Sequence, residues 1–213
     1  MRSLIDSAAH PRVADTRIIW LPGAYDSAQD FRTAGFTAAV ARRGLTLDLV
    51  YVDLDLEHLG DRMALRRLRS EVVLPAREAG ITCWLAGISL GGMLALDYAA
   101  TYPADLAGLC LLAPYLGNRM LTAEIRSAPG LAAWNPGELA ETDEERRIWR
   151  YIKTRPANSG RIYMGFGRSD RFAEAHRLLA ASLPPGCVDV IEGGHDWPTW
   201  TALWENFLDS RFI

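Results

Sequence analysis

Three cysteines among 213 residues are too few, and the wrong parity, for a disulfide framework. Cys83, Cys110 and Cys187 each lie inside or beside a strand-like apolar run, where a free thiol acts as a small buried hydrophobe. A reducing compartment is therefore expected. No stretch approaches the roughly 18 uninterrupted apolar residues that mark a transmembrane helix. The first seventeen residues, MRSLIDSAAHPRVADTR, lack the apolar core of a secretory signal. The expectation is a cytoplasmic protein with no membrane partner. Positive charge is not in excess: 23 Lys plus Arg stand against 26 Asp plus Glu, a net charge of −3. Nothing here would neutralise a phosphate backbone, so nucleic acid is not an expected partner. No G-x-G-x-x-G or Walker pattern occurs, and no nucleotide cofactor is expected.

What is present is an ordinary globular composition, 49% hydrophobic and 23% charged. The length suits a single domain spanning 1–213, with a polar N-terminal tail over 1–16. Short apolar runs alternate with longer helix-period stretches. Six strands are predicted at 17–23, 47–56, 81–89, 106–114, 161–170 and 187–193, several of them continuously hydrophobic (IIWLPG, ITCWLAGIS, LAGLCLLAP). Strands of that kind are buried on both faces. Helices are predicted near 30–43, 59–79, 90–101, 171–182 and 198–210. The alternation predicts an α/β fold, a mostly parallel six-stranded sheet with helices on both faces. One interval, 115–155, carries no strand signal and contains Gly117 and the pairs Pro129–Gly130 and Pro136–Gly137. Connections this long in a compact domain are usually functional, and a short helical lid over a pocket is expected.

The chemistry starts at Gly87-Ile88-Ser89-Leu90-Gly91, a G-x-S-x-G element between a buried strand and the helical run LGGMLALDYAAT. A serine on such a turn exposes its hydroxyl beside backbone N–H groups and a helix N-terminus. It needs a base. Of the four histidines, His10 lies in the polar tail, His176 lies within a helix and His58 follows a strand end. His195 follows the last strand in the loop Glu192-Gly193-Gly194-His195-Asp196-Trp197 and is the base we select. The imidazole needs an orienting carboxylate, and Asp170 ends the preceding strand. Its competitors are Asp196, too close in sequence to reach the far ring nitrogen, and Asp143, inside the expected lid. The resulting chain order is Ser89, Asp170, His195.

These stretches, with LPGAYDS, LAGLCLLAP, GRSD and EGGHDWPTW, resemble the small α/β-hydrolases of the serine esterase kind from about residue 17 onward. The resemblance implies an α/β-hydrolase fold and an oxyanion hole built from backbone amides, matching Ala24 after the first strand and Leu90 after the nucleophile. Two features depart from the family: Pro22 stands where a histidine usually precedes the glycine, and the short polar N-terminus leaves no room for the family's early antiparallel hairpin. The run His195, Trp197, Trp200 is similar to the histidine loop of esterase D-like hydrolases and mycolyltransferases.

The implied function is hydrolysis of small carboxylic esters through an acyl-enzyme, without metal or organic cofactor. Thioesterase or acyltransferase action would use the same residues, and a non-catalytic ligand-binding protein on the same scaffold is the reading from another class. Tyr25, Tyr115, Trp134 and Trp197 are candidate pocket walls, suited to acyl groups from acetyl to about hexanoyl. Trp200 and Trp204 continue the helical spacing from Trp197 and are expected in the core. Asp53, Asp55 and Glu57 share one face of a strand end beside His58; a solvated strand end is the preferred reading over a hard-metal site. The oligomeric state is not encoded in any pattern found.

Overall fold

Seven strands form one sheet in the computed structural model, which describes residues 3–6, 14–53, 62–155 and 160–213. Six run parallel: β2 (Thr16–Leu21), β3 (Leu47–Val52), β4 (Thr82–Ile88), β5 (Gly108–Leu112), β6 (Arg161–Gly167) and β7 (Val188–Ile191). The seventh, β1 (Ser3–Asp6), pairs antiparallel with β3, Ser3 opposite Val52. The expected count of six is therefore one short, and part of the interval read as a polar tail is a strand. Four residues with only Leu4 and Ile5 apolar give no usable periodicity. Partners from elsewhere in the chain hold them: Asp6 accepts hydrogen bonds from Arg32 Nε (3.0 Å) and Thr37 Oγ1 (2.5 Å).

The strand order is β1-β3-β2-β4-β5-β6-β7. The chain steps from β2 to β3 on one side, then crosses to β4 on the other and continues outward. At such a reversal the connections leave the strand ends in opposite directions and open a crevice there. The continuous apolar strands are explained by layers on both sides. In β4 the Trp84 ring meets Phe207 of α9 (Trp197–Leu208) at 5.7 Å, while the neighbouring Cys83 Sγ lies 4.0 Å from the Val73 carbonyl oxygen. Successive side chains point to opposite faces, so both alternating sets must be apolar. The three cysteines are free thiols.

Two predicted helices are broken in informative ways. The run predicted at 30–43 is α1 (Ala28–Thr33) and α2 (Phe36–Arg42), split at Gly35, whose φ of 85° only glycine adopts cheaply. The run predicted at 59–79 is described from residue 62 onward as α3 (Met63–Leu68), a π-helical turn (Arg69–Val73) and α4 (Leu74–Glu78). Pro75 has no N–H to continue the ladder, and the chain widens just before it. No described helix is long and apolar enough to cross a membrane.

After β5 come α6 (Arg119–Ser127) and α7 (Glu144–Thr154), and α7 packs along α5 (Leu90–Thr101), the helix after Ser89. Ile148, Trp149 and Ile152 are buried; Trp149 donates to the Leu116 carbonyl at 2.8 Å, and Arg147 makes a 2.8 Å ion pair with the buried Asp97 of α5. The expectation for Trp134 needs correction. It is 1% exposed, and its indole N–H goes to Glu124 Oε1 at 2.8 Å. A large ring buried that fully packs the interior of the insertion and offers no face to an open pocket.

Candidate active site

Ser89 joins β4 to α5 with φ 51° and ψ −114°, a conformation costly for any residue with a Cβ. The surroundings over-determine it. Its N–H donates to the Leu112 carbonyl at 3.1 Å, and its own carbonyl accepts from Tyr115 at 2.7 Å and from Gly92 and Met93 in the first turn of α5. The flanking glycines are steric necessities. A Cβ on Gly87 would fall 2.3 Å from the Gly91 carbonyl, and one on Gly91 would fall 2.1 Å from the Leu21 carbonyl oxygen.

The other two expected residues arrive from the ends of β6 and β7. Ser169 N–H donates to the Gly193 carbonyl at 3.0 Å and binds the two loops together. His195 Nδ1 is then 2.7 Å from Asp170 Oδ2, and His195 Nε2 is 2.9 Å from Ser89 Oγ. A neutral ring that donates Nδ1–H to Asp170 has its Nε2 lone pair free to accept the serine hydroxyl. Asp170 is 5% exposed, and its second oxygen accepts from the Phe172 N–H at 2.8 Å. Burial pushes its carboxyl up, but the His195 ring and the Phe172 N–H outweigh that and hold it below the ordinary aspartate range.

The competing carboxylates have other work. Asp196 accepts from Thr199 N (3.0 Å) and Thr199 Oγ1 (2.6 Å) as the N-cap of α9, and Asp143 accepts from Arg146 N as the N-cap of α7. His176, in α8 (Ala173–Ala180), is fully buried; its Nε2–H donates to the Pro114 carbonyl at 2.9 Å. Burial brings it down to about 4, against the pull of Asp170. His10, His58, Asp55 and Glu57 lie outside the described residues. Asp53 accepts from the Ala28 N–H at 2.8 Å, at the start of α1. Among the described residues no group of three His, Cys, Asp or Glu could hold a metal ion.

Aromatic rings wall the imidazole. Phe172 and Trp200 stand edge-on to it, 5.1 and 5.2 Å between centroids. Trp200, expected in the core, is both 5% exposed and in contact with the site. Tyr115 packs on Phe172 at 5.5 Å and gives its hydroxyl to Glu145 Oε1; burial, with Glu145 beside it, pushes the phenol up to about 12. Tyr115 and Phe172 border a cavity of about 180 Å³. The expectation of Tyr25 as a pocket wall needs correction, since its ring projects fully into solvent after Ala24 and covers nothing. Trp197 donates its indole N–H to Asp26 Oδ1 at 3.2 Å. Phe172 and Asp26 were not singled out from sequence. Their only signals were position, two residues after Asp170 and two after Ala24.

A sheet of this order, with a strained serine at the strand-to-helix elbow bonded to a histidine from the last loop, defines an α/β-hydrolase. The family described as "Putative esterase" matches residues 72–207, and the chain belongs to that esterase family. Its fold is shared with a fluorophosphonate-binding serine hydrolase of Staphylococcus aureus (13% identity, 96% of this chain and 86% of the other, TM-score 0.67). It is also shared with an S-formylglutathione hydrolase of Agrobacterium tumefaciens (12%, 97% and 87%, 0.65) and with Est1E of Butyrivibrio proteoclasticus (15%, 97% and 92%, 0.67). No curated protein matches the sequence.

Proposed function

We propose that the protein is a serine carboxylesterase that cleaves small esters through an acyl-enzyme. The observation that carries this reading is the continuous hydrogen-bond chain Ser89 Oγ–His195 Nε2 (2.9 Å) and His195 Nδ1–Asp170 Oδ2 (2.7 Å). Ser89 Oγ attacks the ester carbonyl carbon as its proton passes to His195 Nε2. Asp170 holds the ring in the reactive tautomer and stabilises the imidazolium. The tetrahedral oxyanion lies between the N–H groups of Ala24 and Leu90, each worth about 3 kcal/mol to the transition state. The C–O bond to the alcohol then breaks, and His195 returns the proton to the departing oxygen. Water, deprotonated by the same nitrogen, attacks the acyl carbon and releases the carboxylic acid with Ser89 regenerated.

Tyr115 and Trp197 border the site in this reading, with Phe172 and Trp200 packed on the imidazole. The cavity beside Tyr115 and Phe172 is smaller than the roughly 300–1,000 Å³ of pockets for drug-sized ligands, which favours acyl groups from acetyl to about hexanoyl. Residues 115–155 cap that side, through Tyr115 and the start of α6. Treatment with a fluorophosphonate probe followed by peptide mass spectrometry tests the proposal. The adduct is expected on the peptide containing Ser89, with Ser89→Ala folded, unlabelled and slower by several orders of magnitude on p-nitrophenyl esters. Labelling elsewhere, or an active Ser89→Ala protein, refutes it.

A further inference from the structure

The carboxylate of Asp26 has no place in the mechanism above, yet it and the nucleophile both lie beside Gly23. A Cβ built on Gly23 would meet Asp26 Oδ2 at 2.4 Å and the Ser89 Cβ at 3.7 Å, so the carboxylate oxygen and the serine both lie against the bare α-carbon of Gly23. The other oxygen, Oδ1, accepts the Trp197 indole N–H at 3.2 Å. Trp197 is itself fixed by edge-on rings, Phe31 at 5.4 Å, Phe36 at 5.9 Å and Trp200 at 5.3 Å. The carboxylate, on the loop that carries Ala24, is thus aimed by a side chain two residues from His195.

Among the described residues no Lys or Arg pairs with Asp26, and the N–H groups that face its carboxylate are those of Trp197 and Gly23. Its charged neighbour is a like charge, Asp30, which is already engaged by Ser27 N and Oγ at 2.7 Å. Burial and Asp30 push the Asp26 carboxyl up, against the Trp197 N–H, the Gly23 N–H and the His195 ring. Beside a reacting serine, a negative charge with no cationic side chain to balance it favours a bound molecule that carries a cation or a donor there.

We propose that Asp26 determines substrate specificity: Oδ2 accepts a hydrogen bond or ion pair from a cationic or donor group carried near the scissile acyl bond, and it turns away substrates with an anionic group there. The proposal rests on the esterase reading and deepens it. A group placed by Trp197 before the substrate arrives discriminates by charge without reorganising, and an unmatched or repelled partner costs affinity in the way a buried unpaired group does.

Three thioesters of similar size test it, with thiol release as the readout: acetylthiocholine (cation), S-(3,3-dimethylbutyl) thioacetate (its neutral isostere) and S-acetyl-3-mercaptopropionate (anion). In the native protein kcat/KM should fall in that order, with at least about a tenfold gap between cation and anion, the size of one charge-assisted contact. In Asp26→Asn the cation-to-anion ratio should collapse towards one. Because the ratio is taken within each protein, a general loss of activity does not affect it. Equal rates on all three, a ratio unchanged by Asp26→Asn, or a preference for the anion such as the Arg171 guanidinium over Phe172 (5.0 Å) would give, each overturns the proposal. So does failure to turn over any of the three by a protein that fluorophosphonate labels at Ser89. Absence of that label is the separate failure of the esterase reading.

Discussion

His176 should make the fold acid-sensitive within a defined window, and the effect can be sized. Its ring is fully buried against Phe166 at 5.0 Å, with Nε2–H committed to Pro114 and Nδ1 without a partner. Burial brings its pKa to about 4, whereas an unfolded histidine titrates near 6.5. Between these values the unfolded chain binds a proton that the folded chain refuses. Stability from this group is therefore complete above about pH 6.5 and is lost as the pH falls towards 4, about 3 kcal/mol over the whole window and about 2 by pH 4.5. Urea denaturation followed by tryptophan fluorescence at pH 7.0, 6.0, 5.2 and 4.5 measures it. With a slope near 2 kcal/mol per molar, the midpoint should drop by about 1 M. His176→Gln keeps an N–H for the Pro114 carbonyl and does not titrate, so its midpoints should fall less by that amount, contributions from other groups cancelling in the comparison. Asp170, held below the ordinary aspartate range, loses its contribution only at still lower pH and stays out of the window. Parallel profiles for the two proteins would refute the assignment.

Asp170→Asn should lower kcat by about 10³ to 10⁴ with little change in melting temperature, because the amide favours the wrong imidazole tautomer. Asp196→Ala should do the opposite, costing about 1 kcal/mol through the lost α9 cap while leaving most of the activity; a severe kinetic effect there would reassign the acid. Gly91→Ala drives a methyl into the Leu21 carbonyl and should destabilise by at least about 2 kcal/mol, read as the shift in urea midpoint. Arg147→Ala strands the buried Asp97 between α5 and α7, so a loss of about 3 kcal/mol is expected, and a neutral result would show that the ion pair contributes nothing. Limited proteolysis should cut the non-helical stretch 128–142 before α7, whose Ile148, Trp149 and Ile152 are buried.

The parallel strands were legible because a strand covered on both faces must be apolar at every position, and runs such as ITCWLAGIS have no other economical reading. The elbow was legible for a local reason as well: Gly87 and Gly91 permit backbone contacts near 2 Å from a Cβ position, and no other residue does. Chain order at the strand ends carried Asp170 and His195, since parallel strands deliver successive loops to one edge of the sheet. What sequence could not carry was anything fixed by a distant partner. The strand Ser3–Asp6 exists through β3, Arg32 and Thr37, and Trp134 faces inward because Glu124, ten residues earlier, takes its indole N–H. Trp200 could be read as a core residue but not as a neighbour of the imidazole, for a helical period gives a face and not what lies against it. Asp26 and Trp197 are 171 residues apart. No local pattern joins them, and only the closing of the last loop over the first places a carboxylate beside the serine.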